Sequence, residues 1–342
     1  MRPVGFAVLG LGALAQTAIL PAFRDTKEAT LIALVSRDAE KARRVALLHG
    51  VPYAYNSLED CLANPLVEAV YIATPPGRHL QEVDVVARAG RHVLCEKPLA
   101  MTAAEAAEMV TTCAQQPVLL MTAYRKCFEP AMIFIRDLIL SGRIGALKIL
   151  HTSFSEIHAQ PMITPAWILD RQLAGGGPLM DLGIYCIHAA RWLAGENPAR
   201  VSAFQWTHDQ SLFREVEEGI AFSMYFPSGL VAQASTCYSA ALSSMLYVEG
   251  TRGSISLTPA YPYEQERMLN ARFGDELLQK TFPVVDEFRP QIDAFSQAIR
   301  GGTLPPSGGA EGYVDMAIID AIYRSANAGT PQTVELGCGM TP

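Results

Sequence analysis

Two short segments of this chain hold residue types suited to moving protons and stabilising charge: Glu96-Lys97-Pro98 and the run Gly175-Gly176-Gly177-Pro178-Leu179-Met180-Asp181-Leu182-Gly183-Ile184-Tyr185. The first follows Val93-Leu94-Cys95, an apolar run of the kind that forms a strand covered on both faces. A lysine delivered to the end of such a strand can hold a substrate oxygen and stabilise charge that develops on it. As a bare tripeptide it reads as a surface ion pair; its place after a strand gives it weight. The second segment begins with a glycine turn that allows close backbone approach and continues as a helix over residues 179–193. Asp181, Tyr185 and His188 stand at i, i+4 and i+7 of that helix, on one face. A phenol there can take a hydroxyl proton or return it. At its ordinary pKa of about 10 it is a weak base, unless a nearby cation favours the phenolate. Asp181 can bind a neighbouring hydroxyl and fix the ligand for transfer. The bland reading of the same helix is an acid favoured by the helix dipole, a core aromatic and an internal histidine. His188 fits that bland reading best.

The elements that must position these residues follow from hydrophobic periodicity. Apolar runs at 4–9, 31–35, 69–73, 92–95 and 118–121 alternate with helical stretches at 15–23, 39–48, 80–89 and 103–112. Asp38 and Thr102 stand as N-caps. This alternation predicts an α/β doubly wound parallel sheet of Rossmann type over residues 1–124, with ligands beyond the carboxyl ends of its strands. Past Tyr124-Arg125 the pattern changes. Residues 130–140 read as a helix, and alternating stretches begin at Lys148. Ile220, Phe222, Met224 and Phe226 share one face, and Pro227-Ser228-Gly229 turns the chain into a second strand over 230–238. Gly250-Thr251-Arg252-Gly253 joins two more strands, and helices at 290–300 and 311–328 follow. An α+β domain over 125–342 is expected, with an open, mostly antiparallel sheet covered on one face.

Gly10-Leu11-Gly12-Ala13-Leu14-Ala15 lies between the first strand and the first helix. The first glycine permits a tight turn, the second lets the backbone approach a pyrophosphate, and Ala15 keeps helix and strand close. Gly10, Gly12, Ala13 and Leu14 are therefore the candidate phosphate contacts, at a helix end with unpaired N–H groups. At the end of the second strand, where an NAD site usually places a carboxylate, stand Ser36 and Arg37. Arg37, with Lys41 one turn on, suits a 2′-phosphate. NADP is thus expected in preference to NAD. Thr74, Pro75 and Pro76 form a stiff turn after the fourth strand that can wall a nicotinamide pocket, and His79 opens the next helix as a cap, a core histidine or a cofactor contact.

Composition narrows the alternatives. A length of 342 residues suits two domains. A net charge of −7 gives no electrostatic reason to expect nucleic acid or an anionic membrane surface as partner. No apolar run approaches the roughly 20 residues that span a bilayer. The N-terminus runs at once into strand pattern, and the seven cysteines include no CxxC pair, so a cytoplasmic protein with reduced thiols is expected. Neither cysteines nor histidines show metal-ligand spacing, and no metal is expected.

Together these segments resemble the Gfo/Idh/MocA oxidoreductases over nearly the whole chain. The resemblance rests on residues 10–15, 73–79, 96–98, 123–125, 175–185 and 248–257 in that order. Tyr185 in place of the histidine common in the family, with Ser36-Arg37 and Ala123-Tyr124-Arg125, is similar to the glucose–fructose oxidoreductase branch, which takes in xylose and dihydrodiol dehydrogenases. The resemblance implies a nicotinamide cofactor, a sugar, polyol or cyclic diol substrate, and homodimers or homotetramers formed through the open sheet of the second domain. It implies Lys97, Asp181 and Tyr185 as the catalytic set. It implies cofactor contacts from Gly10, Gly12, Ser36, Arg37, Lys41, Thr74, His79, Glu96, Lys97, Arg125 and Trp167. Ile168 stands where glucose–fructose oxidoreductase has the arginine of a Trp-Arg pair. A dehydrogenase or reductase that exchanges its cofactor is therefore expected. A redox-neutral glycoside-cleaving enzyme and a non-catalytic dinucleotide sensor are the alternatives. His158 and Gln160 read as a surface loop or as pocket lining.

Overall fold

The first strand, β1 (Val4–Leu9), is buried at every residue, as a continuous apolar run requires when helices cover both faces of a sheet. It is joined in a six-stranded parallel sheet by β2 (Ala29–Val35), β3 (Tyr53–Tyr55), β4 (Ala69–Ile72), β5 (His92–Cys95) and β6 (Leu120–Thr122). The order is β3-β2-β1-β4-β5-β6, so the direction of winding reverses beside β1. This computed structural model describes residues 2–158 and 165–337.

Helices α1 (Ala39–His49), α2 (His79–Arg88) and α3 (Ala103–Ala114) connect these strands. Their starts are where the sequence puts them. The Asp38 carboxylate accepts the N–H groups of Glu40 and Lys41, and the Thr102 hydroxyl accepts that of Glu105. Periodicity does not show β3, which has three residues and no fully buried side chain.

The chain forms two compact units. The first comprises residues up to Arg125 together with Asp286–Tyr313; the second comprises Lys126–Val285 and the chain from Val314. A division into 1–124 and 125–342 therefore misses a return of the chain. Within the first unit, Phe295 packs edge-on to Phe6 at 6.3 Å, and the Arg300 guanidinium pairs with Glu68 at 2.8 Å. Thr26 bonds to Asp293, and the Thr122 N–H donates to the Ser307 carbonyl. Contacts between residues this distant in sequence leave no periodic trace.

The second unit holds α4 (Pro130–Leu140), α5 (Ile184–Ala194) and a nine-stranded sheet. Its strands are β7 (Leu147–Ser155), β8 (Arg200–Trp206), β9 (Gly219–Tyr225), β10 (Val231–Cys237), β11 (Ser243–Gly250), β12 (Gly253–Thr258), β13 (Arg267–Phe273), β14 (Glu276–Phe282) and β15 (Gln332–Thr333). Their order is β14-β13-β12-β11-β7-β10-β9-β8-β15, antiparallel except for the β10–β7 pair. Ile220, Phe222 and Met224 of β9 point to the covered face, as the alternation requires. The other face presents Phe204, Met245 and Met268 among serines and Gln233. Helix α6 (Phe288–Gly301) belongs to the first unit, and the first turn of α7 (Gly309–Ala328) does too.

Candidate active site

In the first unit the Gly10 turn is built as a dinucleotide site needs. Gly10 has φ +93°, and a Cβ there would stand 2.7 Å from the Ala73 carbonyl oxygen. Only glycine fits. At Gly12 a Cβ would meet no protein atom within 4 Å, so the backbone lies open to a ligand. Ala13 is exposed and Leu14 partly so, at the start of a helical stretch whose residues Ala15–Ile19 form a π-type turn. This open cradle of N–H groups fits a pyrophosphate. At the end of β2, Arg37 is exposed, Ser36 and Lys41 are half-buried, and the Asp38 carboxylate is occupied by its cap. The cap takes up Asp38 Oδ1, which holds that carboxylate at the helix start, and the Arg37 guanidinium beside it is exposed.

The turns after β4 and β5 are tied to each other. His79 Nε2 lies 2.8 Å from the Thr74 carbonyl, and Nδ1 lies 3.1 Å from those of Pro98 and Leu99. Its side chain is fully buried, and burial pulls the imidazole below its usual value. His79, expected among the cofactor contacts, thus has no surface to offer a ligand and instead clips two turns together. Thr74 and Pro75 keep partial exposure, and the Thr74 hydroxyl bonds to Glu82.

Glu96 is 8% exposed and accepts the Tyr71 hydroxyl at 2.7 Å, which in turn accepts the Gln291 amide at 3.0 Å. Burial holds its carboxyl above the usual range, against the pull of Tyr71, Lys97 and Arg125. One Glu96 oxygen also accepts the Lys97 N–H at 3.2 Å, so the buried acid fixes the backbone from which the half-buried lysine projects. Arg125 pairs with the buried Glu287 and lies 5.6 Å over the Phe288 ring. Glu287 and Gln291 were not expected, because they come from the returning segment.

In the second unit the glycine run is packed by its neighbours. Gly175 has φ +80°; a Cβ on Gly176 would stand 2.0 Å from the Tyr323 hydroxyl, and one on Gly177 would stand 2.3 Å from the Glu217 carbonyl. The Glu217 carboxylate accepts the N–H groups of Gly177 and Leu179 and the Tyr323 hydroxyl at 3.0–3.1 Å. Burial raises its carboxyl above the usual range despite these bonds. The expected helix begins as a π-type turn, Leu179–Gly183, and only then becomes α5. Such turns recur at functional sites.

Among residues 176–191, only Asp181 and Tyr185 keep partial exposure. Asp181 accepts the hydroxyl of buried Tyr238 at 3.3 Å. The Tyr185 ring is held between Phe154 and Tyr261, with centroids 5.7 and 5.9 Å away. His188 is buried against Asp315 and Cys127, which is the internal reading. His158 packs its ring edge on Tyr238 at 4.7 Å, and its N–H donates to the Tyr238 carbonyl, so it belongs to the Asp181 neighbourhood. Gln160 lies outside the described residues. Trp167 is half-buried on a short turn, Ala166–Leu169, next to buried Ile168. Tyr238 and Glu217 are site residues that sequence reasoning missed. The strand expected over 230–238 ends on Tyr238, which was a usable signal. Among the described residues, no group of three His, Cys, Asp or Glu side chains could hold a metal ion.

The N-terminal profile described as "Oxidoreductase family, NAD-binding Rossmann fold" matches residues 4–124, and the GFO/IDH/MocA C-terminal domain matches 132–256. A D-xylose 1-dehydrogenase [NADP(+)] of Haloarcula marismortui is 31% identical over 98% of this chain and 94% of that protein. The chain belongs to the Gfo/Idh/MocA oxidoreductase family. Other Gfo/Idh/MocA-type relatives include trans-1,2-dihydrobenzene-1,2-diol dehydrogenase of Mus musculus, 34% identical over 67% of this chain and 66% of that one. The crystal structure of an aldose–aldose oxidoreductase from Caulobacter crescentus, complexed with glycerol, superposes with a TM-score of 0.91 at 35% identity. It covers 97% of this chain and 100% of that one. This Gfo/Idh/MocA protein is a nicotinamide-dependent oxidoreductase.

Proposed function

We propose that this oxidoreductase interconverts a CH–OH group and a carbonyl on an aldose, polyol or cyclic diol, using NADP(H) in preference to NAD(H). The substrate class follows the named activities of the xylose and dihydrodiol relatives. The cofactor preference rests on exposed Arg37 beside an Asp38 already committed to its helix cap. The nicotinamide supplies the two-electron acceptor or donor. Tyr185 takes the proton of the reacting hydroxyl, or returns it. Lys97 holds the same oxygen and stabilises charge that develops on it. Asp181, steadied by Tyr238, binds the adjacent hydroxyl and orients the ring. Cofactor contacts come from Gly10, Gly12, Ala13, Leu14, Ser36, Arg37, Lys41, Thr74, Pro75, Glu96, Arg125 and Trp167.

The observation that carries this reading is the pair Asp181 and Tyr185, the only partly exposed side chains among the otherwise buried residues 176–191. Replacing Tyr185 with Phe is expected to lower turnover on the best substrate by about 10²–10⁴-fold while NADPH binding is retained. Near-normal turnover removes Tyr185 from the mechanism. The substrate is found by screening aldoses, inositols and cyclic diols at the reduced-nicotinamide band with both cofactors.

A second reading is favoured by the 35% identity to an aldose–aldose oxidoreductase. On it, one aldose is oxidised and another reduced without net change in the nicotinamide. Formation of aldonate and alditol from aldose alone, without added cofactor, distinguishes it. We also propose a homodimer or homotetramer formed through the open sheet face, where Phe204 is 70% exposed, and a cytoplasmic location. A monomer by light scattering ends the former.

A further inference from the structure

The second unit contains a linear array of side chains that the reaction does not use. Cys127 Sγ lies 3.2 Å from His188 Nε2. His188 Nδ1 lies 2.9 Å from Asp315 Oδ2, and the other oxygen of Asp315 accepts the Arg191 guanidinium at 2.6 Å. Arg191 is itself held by Asn197 at 2.8 Å. Nucleophile, base and orienting acid thus stand in hydrogen-bond sequence, the arrangement that activates a thiol. His188, Arg191 and Asp315 are buried, whereas Cys127 keeps partial exposure. Burial pulls the His188 imidazole down, but Cys127 and Asp315 outweigh it and its pKa is pushed up to about 10. Its pair with Asp315 thus favours the imidazolium.

The other thiols among the described residues differ. Burial pushes those of Cys61, Cys113 and Cys186 up to about 12, and that of Cys95 well above its usual value. Cys237 is partly exposed like Cys127, but its sulfur contacts the hydroxyl and N–H of Ser239, which supply no imidazole.

We propose that Cys127 is a nucleophilic modification site for small uncharged electrophiles, hydroperoxides in particular, with the His188 imidazolium as its proton-transfer partner and Asp315 as the group that orients the imidazolium. Sulfur attacks one peroxide oxygen. An S–O bond forms, the O–O bond breaks, and the leaving hydroxide takes the Nε2 proton of His188 and departs as water, while the thiol proton replaces it on His188. Sulfur is oxidised to the sulfenic acid and the peroxide is reduced.

Labelling of the full-length protein with iodoacetamide at pH 7, followed peptide by peptide by mass spectrometry, tests the site. Cys127 is expected to react at least tenfold faster than Cys237, and to give the dominant dimedone adduct after hydrogen peroxide. In His188→Gln the Cys127 rate is expected to fall at least tenfold while the Cys237 rate is unchanged, and Asp315→Asn is expected to lower it less. Equal rates for Cys127 and Cys237 in the unsubstituted protein overturn the proposal, as does a Cys127 rate unmoved in a folded His188→Gln. If neither variant folds, the comparison of the two cysteines and the dimedone adduct in the unsubstituted protein still decide.

Discussion

At Gly12 a methyl group would meet no protein atom within 4 Å, whereas at Gly177 it would come within 2.3 Å of the Glu217 carbonyl oxygen. Both glycines precede a π-type turn, Ala15–Ile19 in one case and Leu179–Gly183 in the other. On sequence alone the two turns look alike. They differ in what occupies the space that a side chain would take. Around Gly177 it is the protein itself, with Glu217 and Tyr323 bonded to the turn. Around Gly12 it is nothing from the described residues. Glycine there makes room for something that arrives, and glycine at Gly177 makes room for what is already present.

Substitutions that add volume test the distinction, and the largest effect belongs to the packed turn. Gly177→Ala is expected to cost about 1–3 kcal/mol by overpacking and to lower the melting temperature by several degrees, with turnover lost alongside. Calorimetry and circular dichroism check this; an unchanged melting temperature breaks the comparison. Gly12→Val is expected to leave melting of the cofactor-free protein unchanged and to weaken NADPH binding by at least about tenfold, about 1.4 kcal/mol, read by fluorescence titration. A destabilised Gly12→Val would mean that the first turn is packed like the second.

Arg37→Ala sharpens the ligand side further. Loss of charge-assisted bonds worth about 1.5–3 kcal/mol is expected to weaken NADPH roughly ten- to a hundredfold and to leave NADH nearly unmoved. Equal loss for both assigns Arg37 to something other than a 2′-phosphate. The smallest effect is one of pH. His188, on the helix that follows the packed turn, has its pKa raised to about 10 from an ordinary 6.5. Its stabilising contribution is therefore complete below about pH 6.5 and lost as pH rises through about 10. Residues 13–22, after the open turn, contain no titratable side chain and contribute no such slope. Denaturant unfolding between those pH values is expected to show the slope in the native protein and a flatter one in His188→Gln.

Much of the scaffold was legible because it follows from local patterns. Continuous apolar runs marked β1, β4 and β5, strict alternation marked β9 and β10, and Asp38 and Thr102 marked helix starts. The candidate site was legible where residue type and element end coincide, as at Gly10, Lys97, Asp181 and Tyr185. What escaped depends on distant pairing. Glu217, Tyr238 and Glu287 act through partners far away in sequence, and no period links them. For His79 the sequence left a cap, a core histidine and a cofactor contact open, because it does not display the backbone carbonyls against which the ring is buried. The π-type turns Ala15–Ile19 and Leu179–Gly183 were read as ordinary helix, since their residue types carry no local mark of the wider turn.

The return of Asp286–Tyr313 to the first unit bears on how such a chain can be cut and recombined. A fragment ending at Arg125 would forfeit Glu287, Gln291 and Arg300, and with them the counter-ion of its last arginine, the far end of the Tyr71–Glu96 hydrogen-bond chain and one of the two arginines paired with Glu68. The chain passes between the two units three times, after Arg125, after Val285 and, within α7, after Tyr313. Exchange of modules between homologues must therefore cross over near 125, near 286 and again near 314, and a chimera joined at a single point would carry an unfinished dinucleotide half.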